Sequence, residues 1–254
     1  MTTKLFLSQN QILACSFEQW YPKFRSLRST FPSAYIPLDA RFITYLRKDG
    51  IRLPKAPVAL VDLKPSDPRR LAAVDDDEWE EEEDCRDTDE EEESFEELET
   101  NINRALEELG NSVFPKLNWT HPRDALFMNS ESSKCCSPGE IFLLLKSSDF
   151  CQHDLNKLEQ LNNQPYLVLR KFIAINPAFE FRCFVRNGTF LYACQRDVSI
   201  FYKFLTKLET KQQLQGLLEN FVTHILIPNF DQGGGSGFIA DVYVEYSKKR
   251  SDGR

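Results

Sequence analysis

The sequence predicts an α+β protein in which helices flank mainly antiparallel strands. Apolar residues have strand-like patterning at residues 166–175 and 179–186, and they follow helical spacing over residues 214–225. Asn187-Gly188, which follows the second strand segment, is a dipeptide that two-residue hairpin turns favour. With 41% apolar residues and 20 Phe, the 254-residue chain has enough apolar side chains to build a core.

The first region, residues 1–55, is expected to fold. Residues 12–16 predict a short strand, and a capping-box pattern at Ser16 predicts that a helix begins there. Pro22 is expected to interrupt this helix, because proline lacks a backbone N–H and collides with the preceding turn. Asp39, a favoured N-cap residue, predicts a second helix.

The second region, residues 56–93, is predicted to be a disordered linker. Residues 75–99 hold 18 acidic residues and one basic residue, whereas the rest of the chain holds 30 basic and 21 acidic residues. Like-charge repulsion and scarce apolar residues favour disorder. The segment fits either a solvated spacer or a docking tail for a basic partner. The basic remainder suits phosphate-bearing ligands or an acidic protein surface.

The third region, residues 94–254, is predicted to be the main domain. A capping box at Ser94 predicts the start of a helix, and Gly110 predicts its end. A strand is expected over residues 113–118. Ser137, followed by proline at the favoured first helical position, predicts a further helix.

Basic side chains interrupt the predicted apolar strands at Lys116, Arg170, Lys171, Arg182 and Arg196. Each alone is explained by a solvent-facing strand surface with cross-strand charge pairs. Together, cations from four strand segments would repel one another unless an anion lies between them. Arginine offers phosphate a bidentate fork and lysine a point charge, so we interpret the pattern as a polyphosphate-binding cleft.

The predicted hairpin indicates which of these side chains share a face. A two-residue turn pairs Arg182 with Ala193 and Glu180 with Gln195. This register puts Arg196 on the other face. Either a β-bulge intervenes or Arg196 serves elsewhere, and both alternatives stay open.

Asp241 lies on the less apolar face of the last predicted strand, residues 238–246. One carboxylate, with phosphate oxygens and water, can hold Mg²⁺, although a solvated strand carboxylate is the simpler explanation. The seven Cys match no zinc spacing and the three His lie far apart, so they predict no other metal site. No segment approaches the roughly 18 apolar residues of a membrane helix, and the first ten residues lack a signal-peptide pattern, so a cytoplasmic protein is expected.

At these residues the chain resembles the cell division cycle protein 123 family, an ATP-grasp-like family of assembly chaperones. The resemblance covers nearly the whole chain, and its motifs are long enough to be specific. They lie at residues 15–25, 110–119, 122–125, 141–150, 167–171, 180–185 and 195–197.

The resemblance implies that ATP and Mg²⁺ bind in a cleft between two lobes. It also implies a monomeric chaperone, rather than a ligase or kinase, that binds the gamma subunit of eukaryotic translation initiation factor 2 and promotes assembly of the heterotrimer. Asp241 would be a metal ligand, and the aromatic segment with Trp20, Tyr21 and Phe24 would contact the partner unless it packs inside the molecule. The implied cleft residues are Lys116, Trp119, Arg123, Arg170, Lys171, Phe172, Ile173, Glu180, Arg182 and Arg196.

The family continues beyond the Asp241 strand into an Asp-Phe-Asn-Pro motif that completes the metal site. This chain ends at Arg254 before such a motif, so an incomplete C-terminal part and an incomplete magnesium site are expected. Two other functions fit part of the pattern. An ATP-grasp enzyme would use the same basic cleft, and an RNA-binding module would use the basic remainder with exposed aromatic residues.

Overall fold

Two three-stranded antiparallel sheets and their flanking helices confirm the predicted α+β class. The computed structural model describes residues 7–51, 53–54, 94–231, 233 and 235–246. The first sheet has the order β1-β3-β2, and the second has the order β5-β4-β6. The strands are β1 (Ser33–Pro37), β2 (Val113–Lys116), β3 (Tyr166–Lys171), β4 (Glu180–Arg186), β5 (Thr189–Gln195) and β6 (Gly237–Tyr243).

Helices pack against both faces of the first sheet, and α7 packs against the second sheet. Within the ranges described, none is long and apolar enough to cross a membrane. The helices are α1 (Gln9–Ala14), α2 (Phe17–Ser26), α3 (Ala40–Arg47), α4 (Glu96–Leu109), α5 (Pro138–Lys146), α6 (Asp149–Gln160), α7 (Leu208–Phe221) and α8 (Ile227–Asn229).

Two predictions for the first region are wrong. Residues 12–16 form no strand, because Ser8 and Gln11 make a capping box that begins α1 at Gln9. Pro22 lies inside α2 without ending it. Phe17, Tyr21 and Phe24 are buried on one side of α2, and this packing outweighs the backbone hydrogen bond that proline removes.

The first sheet is covered on both faces. Leu167 and Leu169 of β3 join a core built with α3, α4, α5 and α6, whereas Val168 packs on the opposite face against Phe17 and Tyr21 of α2. Because β1 pairs with β3, the first and third regions share one sheet. The first and third regions are therefore one folding unit, although they are separate in sequence. The predicted linker between them, residues 56–93, lies outside the described residues.

Helix ends follow the predicted capping residues in part. Asp39 caps α3 by accepting the Phe42 N–H at 2.7 Å, and Ser137 caps α5. The capping box at Ser94 is wrong, because Phe95 stands at the N-cap of α4 with its ring buried. Gly110 ends α4 with a φ of 90°, a left-handed conformation that suits glycine.

The predicted hairpin is confirmed, but its register is shifted by a β-bulge. Asn187 and Gly188 have φ values of 51° and 69°, as a primed two-residue turn requires. Val185 pairs with Phe190 and Phe184 pairs with Tyr192, so one extra residue lies in β5. Arg182 consequently lies opposite Cys194, not opposite Ala193 as predicted. Gln195 lies opposite Phe181, not opposite Glu180 as predicted.

Candidate anion-binding cleft

A cleft of about 610 Å³ lies between the two sheets, and residues from both sheets line it. Its volume is within the range of small-molecule and cofactor sites. Seven of the residues expected in the cleft or at the metal are among those that line it: Lys116, Trp119, Arg123, Arg170, Glu180, Arg196 and Asp241.

The first sheet supplies two cations to the cleft through its register. Lys116 pairs with Val168, and Phe114 pairs with Arg170, so Lys116 and Arg170 project from the same face of neighbouring strands. This is the face that α2 covers at Val168. Backbone pairing brings the two positive side chains together against their mutual repulsion.

Three cations on this side of the cleft make no ion-pair contact with a carboxylate among the residues described: Lys116, Arg123 and Arg170. The Arg170 guanidinium lies 5.4 Å from the Phe31 ring centroid, and that of Arg123 lies 5.3 Å from the Phe150 ring centroid. Desolvation and the nearby Arg170 charge lower the pKa of Lys116 to about 8, and the Asp154 carboxylate opposes this shift only in part. A desolvated lysine beside an arginine costs free energy unless an anion binds there.

Asp154 holds the turn between β2 and the 3-10 helix that begins at Arg123. This carboxylate, which is 3% exposed, accepts the Thr120 N–H at 2.8 Å and the Thr120 hydroxyl at 2.7 Å. The adjacent Trp119 lines the cleft, and its buried indole N–H has no acceptor within the described residues. Asp154 therefore fixes a turn that presents an unsatisfied donor and an aromatic ring near the cations.

The second sheet presents its charges already paired. The carboxylate of Asp241 accepts hydrogen bonds from Arg182 Nε at 2.8 Å and Arg182 Nη2 at 3.0 Å. Arg196 Nε donates to the same carboxylate at 2.5 Å. Burial raises the pKa of Asp241, but the bonds from Arg182 and Arg196 outweigh burial and hold that pKa below its usual value.

The β-bulge resolves the alternatives for Arg196. Its backbone N–H donates to the Glu180 carbonyl at 2.9 Å, so Arg196 continues the β5 register beside Glu180 and shares the face of Arg182. Burial raises the pKa of Glu180, while Arg196 acts to lower it. The extra residue in β5 thus delivers the second guanidinium group to Asp241.

The arrangement around Asp241 does not fit a metal ion held by the protein alone. Both carboxylate oxygens accept hydrogen bonds from arginine, and two guanidinium groups beside them repel a cation. No group of three or more His, Cys, Asp or Glu side chains that could hold a metal ion occurs in the part of the chain described. The role of Asp241 as a magnesium ligand stays a prediction.

Other predicted residues lie away from the lining of the cleft. Arg182 reaches it only through Asp241, whereas Lys171 and Ile173 are exposed, and neither these two nor Phe172 line it. Strand alternation explains this result for Lys171, because it points to the face opposite Arg170.

The aromatic trio of α2 is largely interior. Tyr21 is 1% exposed and Phe24 is 4% exposed, and the Tyr21 hydroxyl donates to the Ser33 carbonyl at 2.8 Å. These two residues belong to the core, and Trp20 is the half-buried member. The structure favours the packing alternative for this segment, and its contact with a partner stays a prediction.

Sequence reasoning missed Asp154, Phe31 and His121, which stacks on Phe114 with 4.0 Å between ring centroids. Asp154 was missed because no helix was predicted over α6. A helical spacing of Cys151, Leu155 and Leu158 could have indicated α6, since all three side chains are buried on one side.

The sequence model of the D123 family matches residues 20–251, so the chain belongs to this family. The predicted resemblance is therefore confirmed. The chain is 37% identical to the "Translation initiation factor eIF2 assembly protein" of Aspergillus oryzae over 94% of this chain and 56% of that protein. It is 36% identical to the "Cell division cycle protein 123" of Yarrowia lipolytica over 96% of this chain and 62% of that protein.

The solved structures agree on the fold. The structure of Cdc123 from Schizosaccharomyces pombe matches with a TM-score of 0.69 and 30% identity, over 95% of this chain and 82% of that chain. A C-terminally truncated form of the same protein also matches with a TM-score of 0.69. The chain spans less than two thirds of the length of the curated relatives named above.

Proposed function

We propose that the cleft between the two sheets binds ATP through its phosphates. The single observation that carries the proposal is the set of cations without carboxylate partners, Lys116, Arg123 and Arg170, within the described part of the chain. Positive charges held together by β-sheet register and by a fixed turn favour a polyanionic ligand. The ATP-grasp-like character of the fold is part of this proposal.

The aromatic side chains of the cleft support a nucleotide rather than a simple polyphosphate. Trp119, Phe114 and His121 line the cleft beside the cations. A base can stack on such rings, and the Trp119 indole N–H offers a donor without an acceptor in the ranges described. No chemical step is assigned to a metal ion, because the carboxylate of Asp241 is held by two arginines.

Calorimetric titration with ATP in EDTA tests this proposal. We expect micromolar to sub-millimolar binding by the wild-type chain and a loss of at least about tenfold for Lys116→Met, because a charge-assisted contact to phosphate contributes about 1.5–3 kcal/mol. Lys134→Met is the matched control, since Lys134 is exposed and does not line the cleft. Equal affinities of all three proteins would contradict the proposal.

We further propose that the chain acts as an assembly chaperone for eukaryotic translation initiation factor 2, through contact with its gamma subunit. The names of the relatives, an initiation factor eIF2 assembly protein among them, support the role in assembly. The resemblance to the family supports the gamma subunit as the partner and a chaperone role without a ligase or kinase product. The cytoplasm, where this factor acts, is the proposed location.

A binding experiment with purified gamma subunit separates this role from nucleotide binding. We expect the wild-type chain to retain the gamma subunit at micromolar concentration and the alpha or beta subunit alone to pass through. Trp20→Ala tests the α2 segment, with Leu27→Ala as a control on an exposed residue beyond the end of the same helix. Failure to retain the gamma subunit would contradict the proposed partner but not ATP binding.

A further inference from the structure

The two arginines on the second sheet already hold an anion that belongs to the chain. Arg182 approaches the Asp241 carboxylate with two nitrogen atoms, at 2.8 Å and 3.0 Å, and Arg196 approaches it with a third. A phosphate group bound by the same two guanidinium groups would receive the same forked contacts. Asp241 therefore occupies the position of an anionic ligand within the cleft.

We propose that Asp241 is an internal counter-anion that a nucleotide phosphate displaces from Arg196 and Arg182. The proposal rests on ATP binding in this cleft and adds a competition to it. In the nucleotide-free chain the carboxylate neutralises both guanidinium groups and holds Arg182 beside Arg196, which lines the cleft. Binding then exchanges the Asp241 carboxylate for a phosphate group. The affinity for metal-free polyphosphate is therefore lower than it would be if Arg182 and Arg196 had no carboxylate beside them.

The strand register determines which side chain can move in this exchange. Arg182 and Asp241 are directly opposite each other on β4 and β6, so their backbones are fixed at pairing distance. Arg196 lies just beyond the end of β5. Its side chain is 37% exposed, and that of Asp241 is 32% exposed, so a ligand can reach the pair from solvent. Arg196 is therefore the arginine that changes partner first.

Titration of the full chain with inorganic tripolyphosphate in EDTA tests the competition. Asp241→Asn keeps the size of the side chain and removes the competing charge, so we expect it to bind tripolyphosphate about tenfold more tightly than wild type. Asp49→Asn is the matched control, because it removes the same charge from an exposed carboxylate that does not line the cleft. We expect less than a threefold change for the control.

Equal or weaker binding by Asp241→Asn, with a normal melting curve, would overturn the counter-anion and leave the proposed ATP binding intact. Absence of tripolyphosphate and ATP binding by the wild type would overturn both. Should Asp241→Asn fail to fold, Asp241→Ser replaces it, because serine also removes the charge and keeps a polar side chain. We expect this variant to bind tripolyphosphate more tightly than wild type, and equal or weaker binding would overturn the counter-anion.

Discussion

The two sides of the cleft handle positive charge differently. On the first sheet and its following turn, Lys116, Arg123 and Arg170 have no carboxylate partner within the described residues. On the second sheet, Arg182 and Arg196 share Asp241. Both sides are built by strand register, but only on the second side does a carboxylate contact the cations directly.

This difference separates charges that the chain neutralises by itself from charges that a ligand would neutralise. A lysine desolvated beside an arginine destabilises the ligand-free protein, and it is retained where binding requires it. A partly exposed arginine–aspartate pair is close to neutral for stability, because the gain from attraction is offset by lost hydration and side-chain entropy. The first side should therefore control nucleotide affinity, and the second side should adjust it.

The largest effect is expected at the residue that supports the first side. Asp154→Ala leaves the Thr120 N–H and hydroxyl without their buried acceptor and removes the carboxylate whose charge favours the protonated form of Lys116. We expect the free energy of unfolding to fall by about 2–4 kcal/mol. Denaturant unfolding measures it, with Glu159→Ala on the same helix as the control.

Glu159 makes an exposed ion pair with Arg47 at 2.8 Å, so its loss should cost less than about 1 kcal/mol. A cost for Asp154→Ala that is no larger than the cost for Glu159→Ala would show that the turn does not depend on the buried carboxylate. The comparison between the two sides of the cleft would then lose its structural basis on the first side.

The cleft shows how far sequence patterns predict structure here. Charged residues inside apolar strands correctly indicated Lys116, Arg170, Glu180 and Arg196 as neighbours of one cavity. The same pattern placed Lys171 in the cleft, because a run of two cations in a strand does not say which face each takes. Strand alternation decides this only after the register is known.

The remaining errors come from tertiary packing that local patterns do not contain. Pro22 was expected to interrupt a helix that burial of Tyr21 and Phe24 maintains. The bulge in β5 was an open alternative, since a two-residue turn is compatible with both registers. Asp154 is distant in sequence from the Thr120 turn, so its contact could not be predicted from spacing.

A smaller effect of opposite sign is expected for Lys116→Met in the nucleotide-free chain. The pKa of Lys116, about 8, lies below its usual value of 10.5, so the folded chain binds fewer protons than the unfolded chain between these two pH values. The contribution of Lys116 to the free energy of unfolding consequently rises with pH through this window, and at pH 7 the charged form is a cost. We expect Lys116→Met to gain about 1 kcal/mol of stability at pH 7, measured by denaturant unfolding.

Arg182→Met is the comparison from the second side. It breaks a partly exposed pair, and we expect a loss below about 1 kcal/mol. A stability loss for Lys116→Met as large as that expected for Asp154→Ala would mean that Lys116 supports the fold, and the distinction between the two sides would fail.

The smallest effect is a change in proton uptake with pH, and it reports on the first side alone. At pH 7 Lys116 is charged before ATP binds, whereas at pH 9 it is mostly neutral, because its pKa is about 8. A bound phosphate favours the charged form and raises this pKa, so ATP binding at pH 9 should take up close to one proton. Calorimetry in two buffers of different ionisation enthalpy measures this uptake, and Lys116→Met should abolish it. The wild-type affinity for ATP should also decline as pH rises above 8. The decline is at most tenfold per pH unit, because binding is linked to the single proton on Lys116. Identical heats in both buffers at pH 9 would show that the Lys116 ammonium is not the group that meets the phosphates.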